Sequence, residues 1–173
     1  AKIQDGIDAA VPGGTVYVAA GTYPERLIVD KPLNLLGAGV GSSIIDATSF
    51  VTQGNVIDIT AKTGNTKIQG FDVKTGNYSN GIVSGGGTDA AGKIEILNNH
   101  IIGTNFVVDE DLYDQFGLIF GGMDVRTLII SDNEISNTYD NSILIEKQLG
   151  ETQITGNTLN GAYPTIWFMT YDG

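Results

Sequence analysis

Four short phrases recur along this chain with their chemistry kept and their spacing altered: Ile68-Gln69-Gly70-Phe71-Asp72-Val73, Ile96-Leu97-Asn98-Asn99-His100-Ile101, Ile130-Ser131-Asp132-Asn133-Glu134-Ile135 and Ile154-Thr155-Gly156-Asn157-Thr158-Leu159. Each opens and closes on an aliphatic residue and bends at Gly, Asn or Asp, the residues that most readily take the left-handed conformation needed to turn one short strand into the next. A unit this small cannot bury its own apolar face, so copies must stack, and the pattern predicts a solenoid.

A second motif precedes the corners: Ile57-Asp58-Ile59, Ile82-Val83-Ser84, Leu118-Ile119-Phe120 and Ile143-Leu144-Ile145, with Ile166-Trp167-Phe168 after the last corner. These read as strands whose inward positions are two apart. Stacking superposes equivalent residues at roughly 4.8 Å per coil. Asn99, Asn133 and Asn157 then form a column at the corner, expected to be an amide ladder that holds the coils together rather than a set of chemical groups.

The 173 residues and the single repeat indicate one domain spanning residues 1–173, and only 17% charged residues with 24 glycines suit tightly turned β-structure. The net charge of −11 with nine Lys and Arg argues against a nucleic-acid partner. No apolar run reaches the length of a membrane span, so no membrane insertion is expected. The absence of cysteine excludes disulfides and thiolate chemistry. The amino end lacks the basic and hydrophobic regions of a signal peptide, and Tyr163 to Gly173 begins a strand without a corner or cap. An exported chain with its signal removed, cut from a longer protein with further domains, is the expectation.

At the amino end Ile3, Ile7 and Val11 follow helical spacing before Pro12-Gly13-Gly14, then come Thr15-Val16-Tyr17-Val18, Gly21-Thr22-Tyr23-Pro24-Glu25, Leu27-Ile28-Val29 and Leu33-Asn34-Leu35-Leu36-Gly37-Ala38-Gly39. This arrangement resembles the start of proteins of the pectin-lyase-like superfamily, and also that of pectin methylesterases and NosD-like proteins. The resemblance implies an all-β fold, a right-handed parallel β-helix solenoid with a short amino-terminal capping helix. That architecture carries lyases, esterases, hydrolases, tailspikes and adhesins, so it does not name a reaction. Where pectin methylesterases have their nucleophilic aspartate, beside Leu118-Ile119-Phe120-Gly121, this chain has Gly117, which leaves an acyl-transfer mechanism of that kind without an evident nucleophile.

Four groups of residues could carry function. Asp72, His100 and Glu134 share one position in three successive corners and should point outward, placing an imidazole between two carboxylates. They read as a general acid/base set, a partial metal site or an exposed charge ladder. The insertion from Thr104 to Phe116 gathers Asp109, Glu110, Asp111 and Asp114 around Tyr113, with Asp109, Asp111 and Asp114 as candidate calcium ligands or a solvated acidic loop. Tyr113, Tyr139 and Trp167, with Tyr78 and Tyr163, offer flat faces for sugar rings or cover loop bases. Val83, Ile119, Leu144 and Trp167 form an outward apolar column suited to coverage by a loop or partner. The expected role is that of a secreted or cell-surface domain in contact with polysaccharide. The alternative is a lyase, hydrolase or esterase acting on an acidic glycan, with His100 as acid/base.

Overall fold

The computed structural model describes residues 2–104, 116–161 and 163–169, the side chains of 163 and 164 excepted. Among these residues a helix, α1 (Ile3–Ala9), precedes six coils of three strands each. The first coil holds β1 (Thr15–Val18), β2 (Gly21–Tyr23) and β3 (Leu27–Val29), and the second β4 (Asn34–Gly37), β5 (Ser43–Asp46) and β6 (Gly54–Ile59). The third has β7 (Thr66–Gln69), β8 (Asp72–Lys74) and β9 (Ser79–Gly85), and the fourth β10 (Lys93–Leu97), β11 (His100–Ile102) and β12 (Leu118–Gly121). The fifth has β13 (Thr127–Ser131), β14 (Glu134–Ser136) and β15 (Asn141–Glu146), and the sixth β16 (Thr152–Thr155), β17 (Thr158–Asn160) and β18 (Tyr163–Met169).

Every third strand joins the same sheet, giving three six-stranded sheets, β1-β4-β7-β10-β13-β16, β2-β5-β8-β11-β14-β17 and β3-β6-β9-β12-β15-β18. Pairing between coils is parallel throughout. The chain is therefore a parallel β-helix, the architecture its repeats require.

The expected corners sit between the first and second sheets. Gly70, Asn98, Asp132 and Gly156 all have positive φ, at 81°, 50°, 57° and 67°. Register aligns Leu35, Ile68, Ile96, Ile130 and Ile154 along one inward column. Leu35, Ile68, Ile96 and Ile130 are fully buried, while Ile154 packs partly exposed against the same core. In the sixth coil the inward positions of the third sheet are open: Ile166 and Phe168, register partners of buried Ile143 and Ile145, are 38% and 56% exposed.

At the other end α1 buries Ile3 and Ile7 over the first coil. Glu25 caps it, its carboxylate accepting hydrogen bonds from the Ile3 and Gln4 amides at 2.9 and 3.2 Å. These are two of the orphan donors of a helix N-terminus, which explains an acid at the end of the Gly21–Glu25 turn. The helix is shorter than the spacing suggests, ending at Ala9 with Val11 exposed. Pro12 disfavours helical geometry at the residue before it, and so detaches Val11 from the pattern.

The amide ladder runs as the repeats predict. Asn99 Nδ2 donates to Asn133 Oδ1 at 3.1 Å, and Asn133 Nδ2 to Asn157 Oδ1 at 2.9 Å. The Nδ2 groups of Asn99, Asn133 and Asn157 also donate to the carbonyls of Ile68, Ile96 and Ile130. Phe71 takes the equivalent place one coil earlier and ends the ladder, its amide donating to Asn99 Oδ1.

A second polar element lies inside the stack. Arg126 is fully buried, its Nε 3.0 Å and its Nη2 2.6 Å from the Asp124 carboxylate, with Nη1 donating to the Ala61 carbonyl at 2.8 Å. An arginine this buried is tolerated because its charge is matched by a fork-on-fork carboxylate and its remaining donors find oxygens.

A candidate groove on the first corner

The corner residues leave a depression running down the helix between the first and second sheets. One segment, of about 270 Å³, is lined by Val40, Asn98, Asn99, His100, Asp132, Asn133, Glu134, Gly156 and Thr158. The other, of about 310 Å³, is lined by Tyr17, Leu36, Gly37, Ala38, Gly39, Gln69, Gly70 and Asn98. Asn98 lines both, so the two adjoin at that residue as a track of two segments, one reaching Thr158 in the sixth coil and the other Tyr17 in the first. Five coil steps make that track on the order of 24 Å long. The track is open and shallow because corners built on Gly, Asn and Asp have little side chain to fill it.

The predicted Asp72, His100 and Glu134 column exists in register, as the first residues of β8, β11 and β14. His100 Nδ1 lies 4.0 Å from Asp72 Oδ1, and its Nε2 lies 3.7 Å from Glu134 Oε1. The three are not equally exposed. Glu134 is exposed and His100 half-buried, but Asp72 is only 8% exposed. The segment that connects β4 to β5 passes over it, and the Gly41 amide donates to Asp72 Oδ1 at 2.9 Å. Asp72 thus keeps its outward place in the column, but a loop absent from the later repeats covers that one rung. His100 Nε2 also lies 3.0 Å from Ser136 Oγ, a partner on the next strand that the column alone did not reveal.

Of the aromatic candidates, neither Tyr139 nor Trp167 lines this track. Tyr139 sits in the turn after β14, partly buried, and Trp167 lies on β18 with 46% of its surface exposed. Trp167 continues the predicted outward column of Val83, Ile119 and Leu144 on the third sheet. Val83 and Ile119 are half-buried and Leu144 is buried. The aromatic residue that does meet the track is Tyr17, 80% exposed on β1. Its alternation with inward Val16 and Val18 could have marked it as outward.

Tyr113, Asp109, Asp111 and Asp114 lie outside the described residues. Among the described residues no group of three or more His, Cys, Asp and Glu side chains is placed to hold a metal ion. Among them, too, no helix is long and apolar enough to cross a membrane.

The charge of the track is one-sided. Among the described residues its charged lining consists of His100, Asp132 and Glu134, with no Lys or Arg on either segment. Amides and hydroxyls of Gln69, Asn98 and Thr158 supply donors and acceptors between them. Comparison with family models, with curated proteins and with solved structures finds no match to the chain.

Proposed function

We propose that this chain is a secreted or cell-surface β-helix domain of the pectin-lyase-like kind that contacts polysaccharide along the first corner. The observation carrying this reading is the track itself: a long, shallow groove lined by amides, carboxylates and hydroxyls, with an exposed tyrosine at one end. Extended sugars present hydroxyls to such polar groups and an apolar ring face to an aromatic side chain. The amino-terminal run from Ile3 to Gly39 supports the superfamily assignment.

The lining carboxylates narrow the ligand. A polyuronate would bring like charges against Asp132 and Glu134 with no lining cation from Lys or Arg to offset them. Neutral or amino-sugar glycans fit the track better than acidic ones. Titration calorimetry against neutral, amino-sugar and uronate oligosaccharides tests this. Tyr17→Ala should weaken binding of the preferred oligosaccharide about 10-fold, the scale of one lost aromatic contact, while leaving the melting temperature unchanged. Binding confined to the uronates, or indifferent to Tyr17, contradicts the reading.

Calcium is the cation we propose for the acidic insertion, with Asp109, Asp111 and Asp114 as ligands. Calorimetry with calcium alone should give saturable heat that disappears in the triple Asn variant. No heat with the parent chain removes the site.

A further inference from the structure

We propose that Ser136, His100 and Asp72 form a nucleophile, base and orienting group that hydrolyses small acyl esters. The inference does not rest on glycan binding. It begins from the one contact in the column that a charge ladder does not require: His100 Nε2 and Ser136 Oγ are 3.0 Å apart, although the residues are 36 positions apart in sequence. Serine is a weak nucleophile until a neighbouring base takes its proton, and the signature of such a pair is hydrogen-bond contact with a third group orienting the base.

Asp72 is placed for that third role. It stands on the opposite side of the ring from Ser136, with Nδ1 4.0 Å from Oδ1. Its side chain is held by the Gly41 amide and largely withdrawn from water, so its position is set before any ligand arrives. A proton on Nδ1 facing Asp72 leaves Nε2 to accept from the Ser136 hydroxyl, with Glu134 Oε1 3.7 Å from the same nitrogen, where its charge would favour the imidazolium formed once the serine proton transfers. The Nδ1 to carboxylate distance is longer than a hydrogen bond, as such contacts often are before substrate binds. Asn160, the register partner of Ser136 in the next coil, is exposed on the same strand face, and its amide is the donor the proposal assigns to the developing oxyanion charge.

The step balances within these groups. Ser136 Oγ attacks the acyl carbonyl carbon as its proton passes to His100 Nε2. The ester C–O bond then breaks, and the departing alcohol takes that proton. Water attacks the acyl-serine with His100 again as base, releasing the carboxylic acid and restoring the hydroxyl. No other reactant is needed. This supplies the nucleophile missing at Gly117, from a different strand and by a different residue type.

The test uses the full chain with p-nitrophenyl acetate and with diisopropyl fluorophosphate, followed by peptide mass mapping. One phosphoryl adduct on Ser136 is expected, forming at least 100-fold more slowly in His100→Ala, with Ser136→Ala losing ester turnover to a similar degree. Asp72→Asn should lower kcat about 10-fold with KM unchanged, which a purely structural residue would not do. Melting temperatures establish that the variants fold. Ser136→Cys adds a second arm, because the chain has no cysteine of its own. Its thiol should alkylate with iodoacetamide faster when His100 is present than when it is Ala. An absent adduct, an adduct elsewhere, full turnover in Ser136→Ala, or alkylation indifferent to His100 each overturns the proposal.

Discussion

Asn133 shows how much one side chain does in this fold. Its Oδ1 accepts from the Asn99 amide at 2.9 Å and from Asn99 Nδ2 at 3.1 Å, while its Nδ2 donates to the Ile96 carbonyl at 2.8 Å. Asn133→Ala takes a buried partner from the Asn99 backbone amide, from one Nδ2 hydrogen of Asn99 and from the Ile96 carbonyl, so the loss should be about 3 kcal/mol. Chemical denaturation measures it; an unchanged midpoint would mean the ladder is ornamental. Such residues were legible because their type repeats at a fixed place in the phrase. Arg126 was not. Asp124 two residues before it supplies the charge partner, but burial of the pair depends on Ala61 and Ser84 from earlier coils, which only the folded stack brings to it. Ser136 was missed for a related reason: it lies two residues beyond the column position, and contact with His100 is diagonal between strands rather than straight across.

At the scale of the coil, tight stacking depends on a few places where only hydrogen fits. Gly37 ends β4 against the corner of the next coil, and a Cβ there would run into the Gly70 carbonyl. Gly37→Ala should therefore force the second and third coils apart and cost about 2 kcal/mol, the usual scale of overpacking. Gly85 is the contrast, since a Cβ there meets open space. Gly85→Ala should leave the thermal midpoint within a degree or so of the parent, as surface substitutions with free space do. Equal effects at the two sites, read by calorimetric melting, would contradict the stacking account. The strands and corners could be read from the chain because period-two alternation and turn chemistry are local properties. The segment from Ala38 to Ser42, whose Gly41 amide binds Asp72, could not, because its path over the third coil is set by tertiary packing.

Across the whole molecule, one architecture answers two requirements. Parallel register between coils closes an apolar interior, and the same register lines up the corner residues into the outward track. The fold was legible from repetition, and so was the His100 column, whereas the track itself emerges only when six corners are stacked and Tyr17 is brought into line with Asn98. The chain's single histidine stands in that track, which makes its ring signals a unique reporter in NMR spectra. The most direct measurement is a titration of the protein with neutral and amino-sugar oligosaccharides while the His100 resonances are followed. The predicted result is saturable movement of those signals by one of the two glycans, with a midpoint raised about 10-fold by Tyr17→Ala. Glycan binding that leaves the His100 signals in place, and moves those of Trp167 on the third sheet instead, would contradict the assignment of the first corner as the binding surface.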